Sequence, residues 1–170
     1  MRAYLARVNH EHFMAQSKEM KKLIKMLEKV YFEIDEVIEK RVQANERYII
    51  NLNAAQMYRG EKADGTPILP SYAPSTILYK KKMGQPYNRV TLRDSGDFHF
   101  KELKVIAMHD KFHIDTSLSS QRPYDFLMKG TKKRAAYGEG VLGLNDKNIE
   151  KLFKAKLKKP LEKLFKTLKK

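Results

Sequence analysis

Histidines and acidic residues near the N-terminus are the first side chains of this chain that could do chemistry. His10, Glu11 and His12 are consecutive, and a strand would place both histidines on one face, where they could begin a metal site. No third or fourth ligand is visible to complete that site, so no metal is predicted. His109 and His113 flank a predicted turn and are interpreted as solvated or cross-strand side chains rather than catalytic bases.

The other candidate motifs also indicate no catalysis. Residues 94–97 read Asp-Ser-Gly-Asp, and Asp and Ser are ordinary turn and helix-cap residues. Gly65 is followed by Thr-Pro rather than by the Gly-Lys-Thr of a phosphate-binding loop. The chain has no cysteine, which excludes disulfides, thiol catalysis and zinc sites of the cysteine type. The sequence therefore predicts a non-enzymatic protein without a cofactor.

Positive charge is the strongest chemical signal. The net charge is +15, from 35 Lys and Arg against 20 Asp and Glu, and such a balance implies an anionic neighbour: nucleic acid, a membrane surface or an acidic protein face. Lysines cluster at 80–82, at 132–134 with an arginine, and near the C-terminus. One face of the last predicted helix carries Lys151, Lys154, Lys158, Lys163 and Lys166. A merely solvated face is the favoured interpretation, followed by attraction to phosphates and then by membrane binding.

The elements that would position these residues begin with a long helix, predicted at residues 17–52. Apolar residues recur there at alternating spacings of three and four, namely Met20, Leu23, Leu27, Val30, Ile34 and Val37. This stripe favours packing on the helix's own domain, and contact with a helix of another subunit is the alternative. An N-terminal arm is expected at residues 1–16, before a single domain at 17–170. No stretch approaches the roughly 20 apolar residues that cross a bilayer, and no membrane partner is expected.

A Pro-rich extended loop is predicted at residues 58–90, with one short helix that has Pro74 in its first turn. A loop of this length inside a domain is unusual, and its apolar residues need burial. It is therefore predicted to make contacts between subunits. The residues proposed for this interface are Pro67, Tyr72, Pro74, Leu78 and Tyr79. If the loop does contact another subunit, Lys80 to Lys82 are expected at the rim of that contact or facing an acidic or phosphate surface. The competing interpretation is a loop folded back on its own subunit.

The rest of the chain predicts a small antiparallel β-hairpin and a C-terminal amphipathic helix. A short helix is expected at 97–103. Val105, Ala107 and His109 alternate with Ile106 and Met108, and Phe112, Ile114 and Thr116 alternate again after a turn at 110–111. A loop is expected at 117–121 and a helical turn at 123–128. Asn145 or Asp146 can cap the last helix, which Pro160 should kink or split. The fold class is therefore α+β.

Several segments occur in an order that resembles a known family. They are residues 63–68 with Asp-Gly-Thr-Pro, 71–77 followed by three lysines, 92–98, 123–124, 130–131, and 141–146 with Leu-Gly-Leu-Asn-Asp. Over roughly 45–168 this order resembles the phage virion-morphogenesis family, also called tail-completion proteins. Ser95 and Phe98 stand where that family often has Thr and Leu, and residues 125–129 lack its usual His-Gln.

The resemblance implies a structural virion protein of the head–tail connector, in which copies of the chain form a homo-oligomeric ring between portal or adaptor and tail. It implies no catalysis and no cofactor. It also implies that the protein lies in the neck or tail region of the virion, and in the host cytoplasm while the virion assembles. Genomic DNA in the channel, contacted without sequence specificity, is a further candidate partner. The alternative function is a sequence-nonspecific nucleic-acid-binding protein that uses the basic C-terminal helix.

Overall fold

The predicted α+β class is confirmed by a computed structural model, which describes residues 2–101, 103–108, 111–116, 136–138 and 140–168, and only the backbone helix for residues 2–17. The described elements, in chain order, are α1 (Arg2–Ala44), α2 (Glu46–Tyr58), α3 (Pro74–Lys82), α4 (Asp97–Phe100), β1 (Leu103–Ala107), β2 (Phe112–Thr116), α5 (Asp146–Leu152), a π-helical turn (Phe153–Leu157) and α6 (Lys158–Leu168). The predicted short helix at Pro74, the two strands of the hairpin and the C-terminal helix are present, and the short helix expected at 97–103 ends at Phe100 because Leu103 already belongs to β1.

The predicted single helix at 17–52 is wrong at both ends. The first helix begins at Arg2, because residues 2–16 contain neither Pro nor Gly and continue the helix through the predicted start. It is interrupted at Asn45, whose backbone lies at φ −119° and ψ 22° and whose Nδ2 donates to the carbonyl of Arg41 at 2.8 Å. The chain then re-enters a helix that reaches Tyr58. The division into an arm at 1–16 and a domain at 17–170 stays a prediction.

α2 lies at the centre of the core. Its Ile49, Ile50 and Met57 are almost fully buried, and the end of α1 adds Val42. Each later segment contributes buried apolar side chains to the same cluster, namely Ile68, Val90, Leu103, Ile114, Val141, Leu144 and Leu152. Because the loop residues Ile68 and Val90 belong to this cluster, part of the Pro-rich segment folds back on its own subunit.

The hairpin pairs β1 with β2 in an antiparallel register that sets Val105 opposite Ile114. The N–H of Val105 points away from β2 and donates to Oε1 of Glu46 at 2.8 Å. Glu46 opens α2, so this bond ties the free edge of β1 to the central helix. It satisfies one of the backbone groups that an edge strand would otherwise expose.

The C-terminal helix is capped as predicted, since Oδ1 of Asn145 accepts from the N–H of Asn148 at 3.1 Å. The disturbance expected at Pro160 takes the form of the π-helical turn just before it. Pro160 has no N–H for the carbonyl four residues earlier, and the N–H of Lys158 bonds to the carbonyl of Phe153, five residues back. The helix therefore continues beyond the proline with its register shifted.

Candidate assembly surfaces

The hydroxyl of Tyr72 fixes the Pro-rich segment to the body of the subunit. It accepts hydrogen bonds from the N–H of Thr91 at 2.8 Å and of Leu92 at 3.2 Å. Leu92 has a φ of +53°, in the left-handed region that residues with a Cβ rarely adopt, and the Tyr72 hydroxyl holds its N–H there. The structure thus places Tyr72, one of the predicted interface residues, in an internal anchoring role, with its ring half-buried beside the core.

Lys80 is the second anchor, and the expectation that it lies on an outer rim is wrong. Only 4% of its surface is exposed. Its ammonium donates to the carbonyl of Arg93 at 2.6 Å and to Oε1 of Gln85 at 2.9 Å, and it lies 4.9 Å from the centre of the Tyr72 ring. A buried ammonium needs such partners, since burial without them is costly. The buried side chain of Lys80 therefore ties helix α3 to the loop that follows it.

Several large apolar side chains of the same segment are exposed. Leu78 is 68% exposed, and Leu69, Tyr79, Met83 and Tyr87 are 46–58% exposed. Pro67 and Pro74, also predicted at the interface, are exposed as well. Tyr79 donates its hydroxyl to Asp94 at 2.9 Å, and this hydrogen bond raises the pKa of the phenol. The side chains of this surface, here called the loop surface, thus project from a backbone that Tyr72 and Lys80 hold in place.

A buried amide network positions the C-terminal helix. Gln56 of α2 donates through Nε2 to the carbonyl of Gly143 at 3.0 Å, and its Oε1 accepts from the N–H of Asn145 at 2.8 Å and from Nδ2 of Asn148 at 3.0 Å. Asn53 donates to the Gly143 carbonyl at 2.6 Å. Gly143 has a φ of +145°, and a Cβ there would lie 2.9 Å from the Cβ of Ala63, so only glycine fits. The turn before α5 is therefore locked to α2.

The five lysines predicted to form a basic surface are all exposed in the structure: Lys151, Lys154, Lys158, Lys163 and Lys166. Lys154 pairs with Glu150 and Lys158 lies 3.9 Å from Glu162, both on the helix surface. Phe153 and Phe165, the two aromatic residues of this helix, are 43% and 45% exposed. Aromatic rings are therefore accessible near the basic surface.

Helix α1 carries a run of exposed apolar side chains between residues 20 and 32. Seven large side chains in its middle are 45–60% exposed: Met20, Leu23, Ile24, Met26, Leu27, Tyr31 and Phe32. The favoured prediction, that this stripe packs on its own domain, is wrong for Met20, Leu23 and Leu27, whereas Val30, Ile34 and Val37 are half-buried. Packing on the body begins near Ile38 and Val42, where the same helix reaches the core. Exposed apolar patches of this kind mark interaction sites.

Sequence reasoning missed the amides of Asn53 and Gln56. A signal was present, since both fall on the helix face that carries Ile49, at spacings of four and seven. A polar residue on such a face needs a buried partner.

Other predictions fall outside the described residues. These are the side chains of residues 10–12, His109 and the hairpin turn at 110, the loop at 117–121, the helical turn at 123–128 and the basic cluster at 132–134. Within the described residues, no cluster of His, Cys, Asp and Glu could hold a metal ion. The same residues include no helix that is long and apolar enough to span a membrane.

Comparison with known proteins gives no relatives. No family model, no curated protein and no solved structure matches this chain.

Proposed function

We propose that the chain is a structural protein of the phage head–tail connector, which forms a homo-oligomeric ring between portal or adaptor and tail. The ordered segments that resemble those of the tail-completion family support this proposal, together with the α+β fold of the described residues. The protein would act in the neck or tail region of the virion and pass through the host cytoplasm during assembly. It would need neither a catalytic residue nor a cofactor.

The observation that carries the proposal is the loop surface. Its apolar side chains stay in water although the backbone beneath them is fixed by buried hydrogen bonds of Tyr72 and Lys80. A fixed apolar surface that the described part of its own subunit leaves exposed is typical of a contact with another chain, and tyrosines are favoured at such contacts. A ring requires a surface of this kind that joins a different surface of the next copy.

Placing a charge on the loop surface should abolish ring assembly and leave the fold unchanged. The Leu69→Asp, Leu78→Asp variant carries two carboxylates where apolar contact is proposed, and both positions are more than half exposed. Its unfolding should shift by less than about 0.5 kcal/mol for each site, because exposed substitutions contribute little stability. Native mass spectrometry and particle imaging should detect rings of the wild-type chain and only smaller species of the variant.

Phe165→Asp is the matched control, since this side chain is also apolar and half-exposed but lies on α6. The control variant should still assemble. Rings that form equally well from the Leu69→Asp, Leu78→Asp chain would contradict the role of the loop surface. Absence of the protein from purified virions whose genome encodes it would overturn the proposed function as a whole.

A second candidate function, nonspecific binding of nucleic acid, is favoured by the five exposed lysines and the accessible Phe153 and Phe165 of the C-terminal helix. Stacking on aromatic rings beside a basic groove is how single strands are held. The lysine face has no Asn, Gln or Arg at a spacing suited to base edges, so any binding would ignore sequence.

Replacing those five lysines with Gln should weaken DNA binding and flatten its salt dependence. If every one of them contacts a phosphate, the slope of log K against log salt falls by about 4. The matched control replaces the five exposed lysines of α1 with Gln, at Lys18, Lys21, Lys22, Lys25 and Lys29, which removes equal charge from another surface. Fluorescence anisotropy at several salt concentrations measures both slopes. Equal losses in the two variants would show that the C-terminal helix is not the binding surface.

A further inference from the structure

A groove runs between the C-terminal part of α1 and helix α6, and its volume is about 510 Å³. Four residues of α1 line it, at positions 37, 40, 41 and 44, and four residues of α6, at positions 160, 163, 164 and 167. Both sets follow the spacing i, i+3, i+4 and i+7, which places four side chains on one helix face over two turns, a length of about 10 Å. Each wall of the groove is therefore a single helix face, and the two faces have equal length.

The deeper side chains of the groove are apolar. Val37, Pro160 and Leu164 are half-buried, whereas the other lining residues are exposed. None of the lining residues is aromatic, Asn or Gln. The groove thus offers no ring on which a base could stack and no amide that could read a base edge. Its floor suits aliphatic side chains of a protein better than a nucleic acid.

The rim of the groove is positively charged. Lys40, Arg41 and Lys163 are exposed there, and no described acidic residue lines the groove. Lys40 is paired with Glu36 at 2.6 Å, but Arg41 and Lys163 form no ion pair with any described residue. The apolar floor therefore has cations beside it on both helices, and the described part of the chain leaves two of them unneutralised.

We propose that this groove binds an acidic amphipathic helix of another protein. Aliphatic residues of that helix, spaced at i, i+3, i+4 and i+7, would lie on Val37, Pro160 and Leu164, as where a helix fills a hydrophobic groove. Its carboxylates would lie beside Arg41 and Lys163, and the planar guanidinium of Arg41 can donate two parallel hydrogen bonds to one carboxylate. The site goes beyond the proposed ring and does not depend on it, because one folded chain forms the whole groove.

A second copy of this chain is a poorer occupant than a different protein. Its acidic stretch, residues 33–39, has four acidic residues and no basic one, but Ile34 and Ile38 of that stretch are half-buried in their own subunit. The apolar side chains from Met20 to Leu27 are exposed, yet residues 18–29 hold five lysines and two glutamates, so the rim of the groove would repel them. Neither stretch combines exposed apolar side chains with negative charge.

A synthetic helical peptide is the probe that tests the groove. It has about 15 residues, with leucines at i, i+3, i+4 and i+7 of one face and glutamates on the flanks. Fluorescence anisotropy with the full chain should show that this striped peptide binds at least about tenfold more tightly than a peptide of the same composition whose leucines are spread around the helix. Equal binding of the two peptides would mean that charge alone attracts them, and it would overturn the proposal. No binding of the striped peptide at the highest soluble concentration would overturn it too.

Charge reversal at the rim tests the location of the site. The Arg41→Glu, Lys163→Glu chain should bind the striped peptide at least about tenfold more weakly, and it should instead bind a striped peptide that carries lysines in place of glutamates. Both positions are exposed, so the variant should keep the helical circular dichroism of the wild type.

The matched control for this variant is Lys21→Glu with Lys22→Glu. It makes the same change in net charge on the same helix, about 30 Å from Arg41 at 1.5 Å per residue. Its dissociation constant for the striped peptide should change by less than about threefold, because salt screens charges at that distance. Equal losses in the two variants would place the peptide elsewhere on the chain and would overturn the proposal.

Other occupants of the groove give different outcomes. Single-stranded DNA that binds the wild type more tightly than the striped peptide and fails to bind the Arg41→Glu, Lys163→Glu chain would assign the rim to phosphates and overturn the proposal. Oligomers of the wild type that only this variant loses would assign the groove to a second copy and would also overturn it. Rings that assemble from a chain that does not bind the peptide would overturn this site and leave the proposed ring standing. Specific peptide binding by a chain that forms no rings would support the site and count against the ring.

Discussion

Replacing Gln56 with methionine should lower the free energy of unfolding by about 3 kcal/mol. Methionine nearly matches the volume of glutamine, so the substitution removes hydrogen bonds and leaves little cavity. The N–H of Asn145 loses its acceptor, and the carbonyl of Gly143 and Nδ2 of Asn148 each lose one partner, all in a buried region. An unsatisfied buried group costs about 1–3 kcal/mol, and two or three groups are affected. Urea unfolding followed by circular dichroism measures the difference.

The matched control for this substitution is Gln43→Met. Gln43 is an exposed glutamine on α1, so the same chemical change there should alter stability by less than about 0.5 kcal/mol. Hydrogen exchange adds a local measurement: α5 should lose protection in Gln56→Met more than α1 does, because the network joins α5 to α2. If both variants unfold at the wild-type urea concentration, the amide network does not hold the C-terminal helix.

Local patterns in the sequence were sufficient to predict most of the small elements. Pro74 at the first position of α3 and the capping Asn145 act through nearest neighbours, so they can be read without knowing the fold. The alternation at Val105 and Ile114 likewise predicted the hairpin correctly. These signals depend on backbone geometry over one or two turns, and tertiary packing does not override them here.

Features that depend on distant contacts could not be predicted. Lys80 lies in a run of three lysines that look alike in the sequence. Its contacts with the Arg93 carbonyl, Gln85 and the Tyr72 ring distinguish it from Lys81 and Lys82, and these contacts depend on the fold. The uncovered half of α1 was misjudged for a related reason. Periodicity predicts that one face is apolar, but it does not say whether the body is long enough to cover that face. The structure is therefore needed to tell which apolar and basic residues form exposed surfaces and which belong to the core.

A buried histidine should make the protein lose stability between neutral and mildly acidic pH. His99 is 1% exposed, and burial is the main reason that its pKa is lowered to about 4 from the usual 6.5. The positive charges of Arg93 and Lys80 lower it further, against a hydrogen bond with the backbone of Thr91 that raises it. Nε2 of His99 has no hydrogen-bond partner among the described residues, so a proton there would be buried and unpaired.

The sign follows from proton uptake on unfolding. Between pH 6.5 and pH 4 the unfolded chain holds a proton on His99 and the folded chain does not, so the unfolded state gains stability as the pH falls. The stabilisation is fully present above pH 6.5 and is lost progressively down to about pH 4. From pH 7.5 to pH 5 this single group should remove about 2 kcal/mol of the free energy of unfolding. Urea unfolding at closely spaced pH values measures the slope.

Acidic residues titrate in a different range and can be separated from this effect. A hydrogen bond from Arg59 lowers the pKa of Glu61, and one from Lys101 lowers the pKa of Asp97. The stability that these half-exposed carboxylates contribute is therefore lost only below their usual pKa values near 4. The slope between pH 6.5 and pH 5 therefore belongs to histidine.

The His99→Asn variant tests this assignment. Asparagine keeps an N–H that can donate to the Thr91 backbone, but it takes up no proton in this pH range. The variant should be less stable than the wild type at pH 7.5, and its free energy of unfolding should change little down to pH 5. Replacing the exposed His113 with Asn is the matched control and should keep the wild-type slope. A wild-type slope in the His99→Asn chain would mean that another group causes the acid sensitivity.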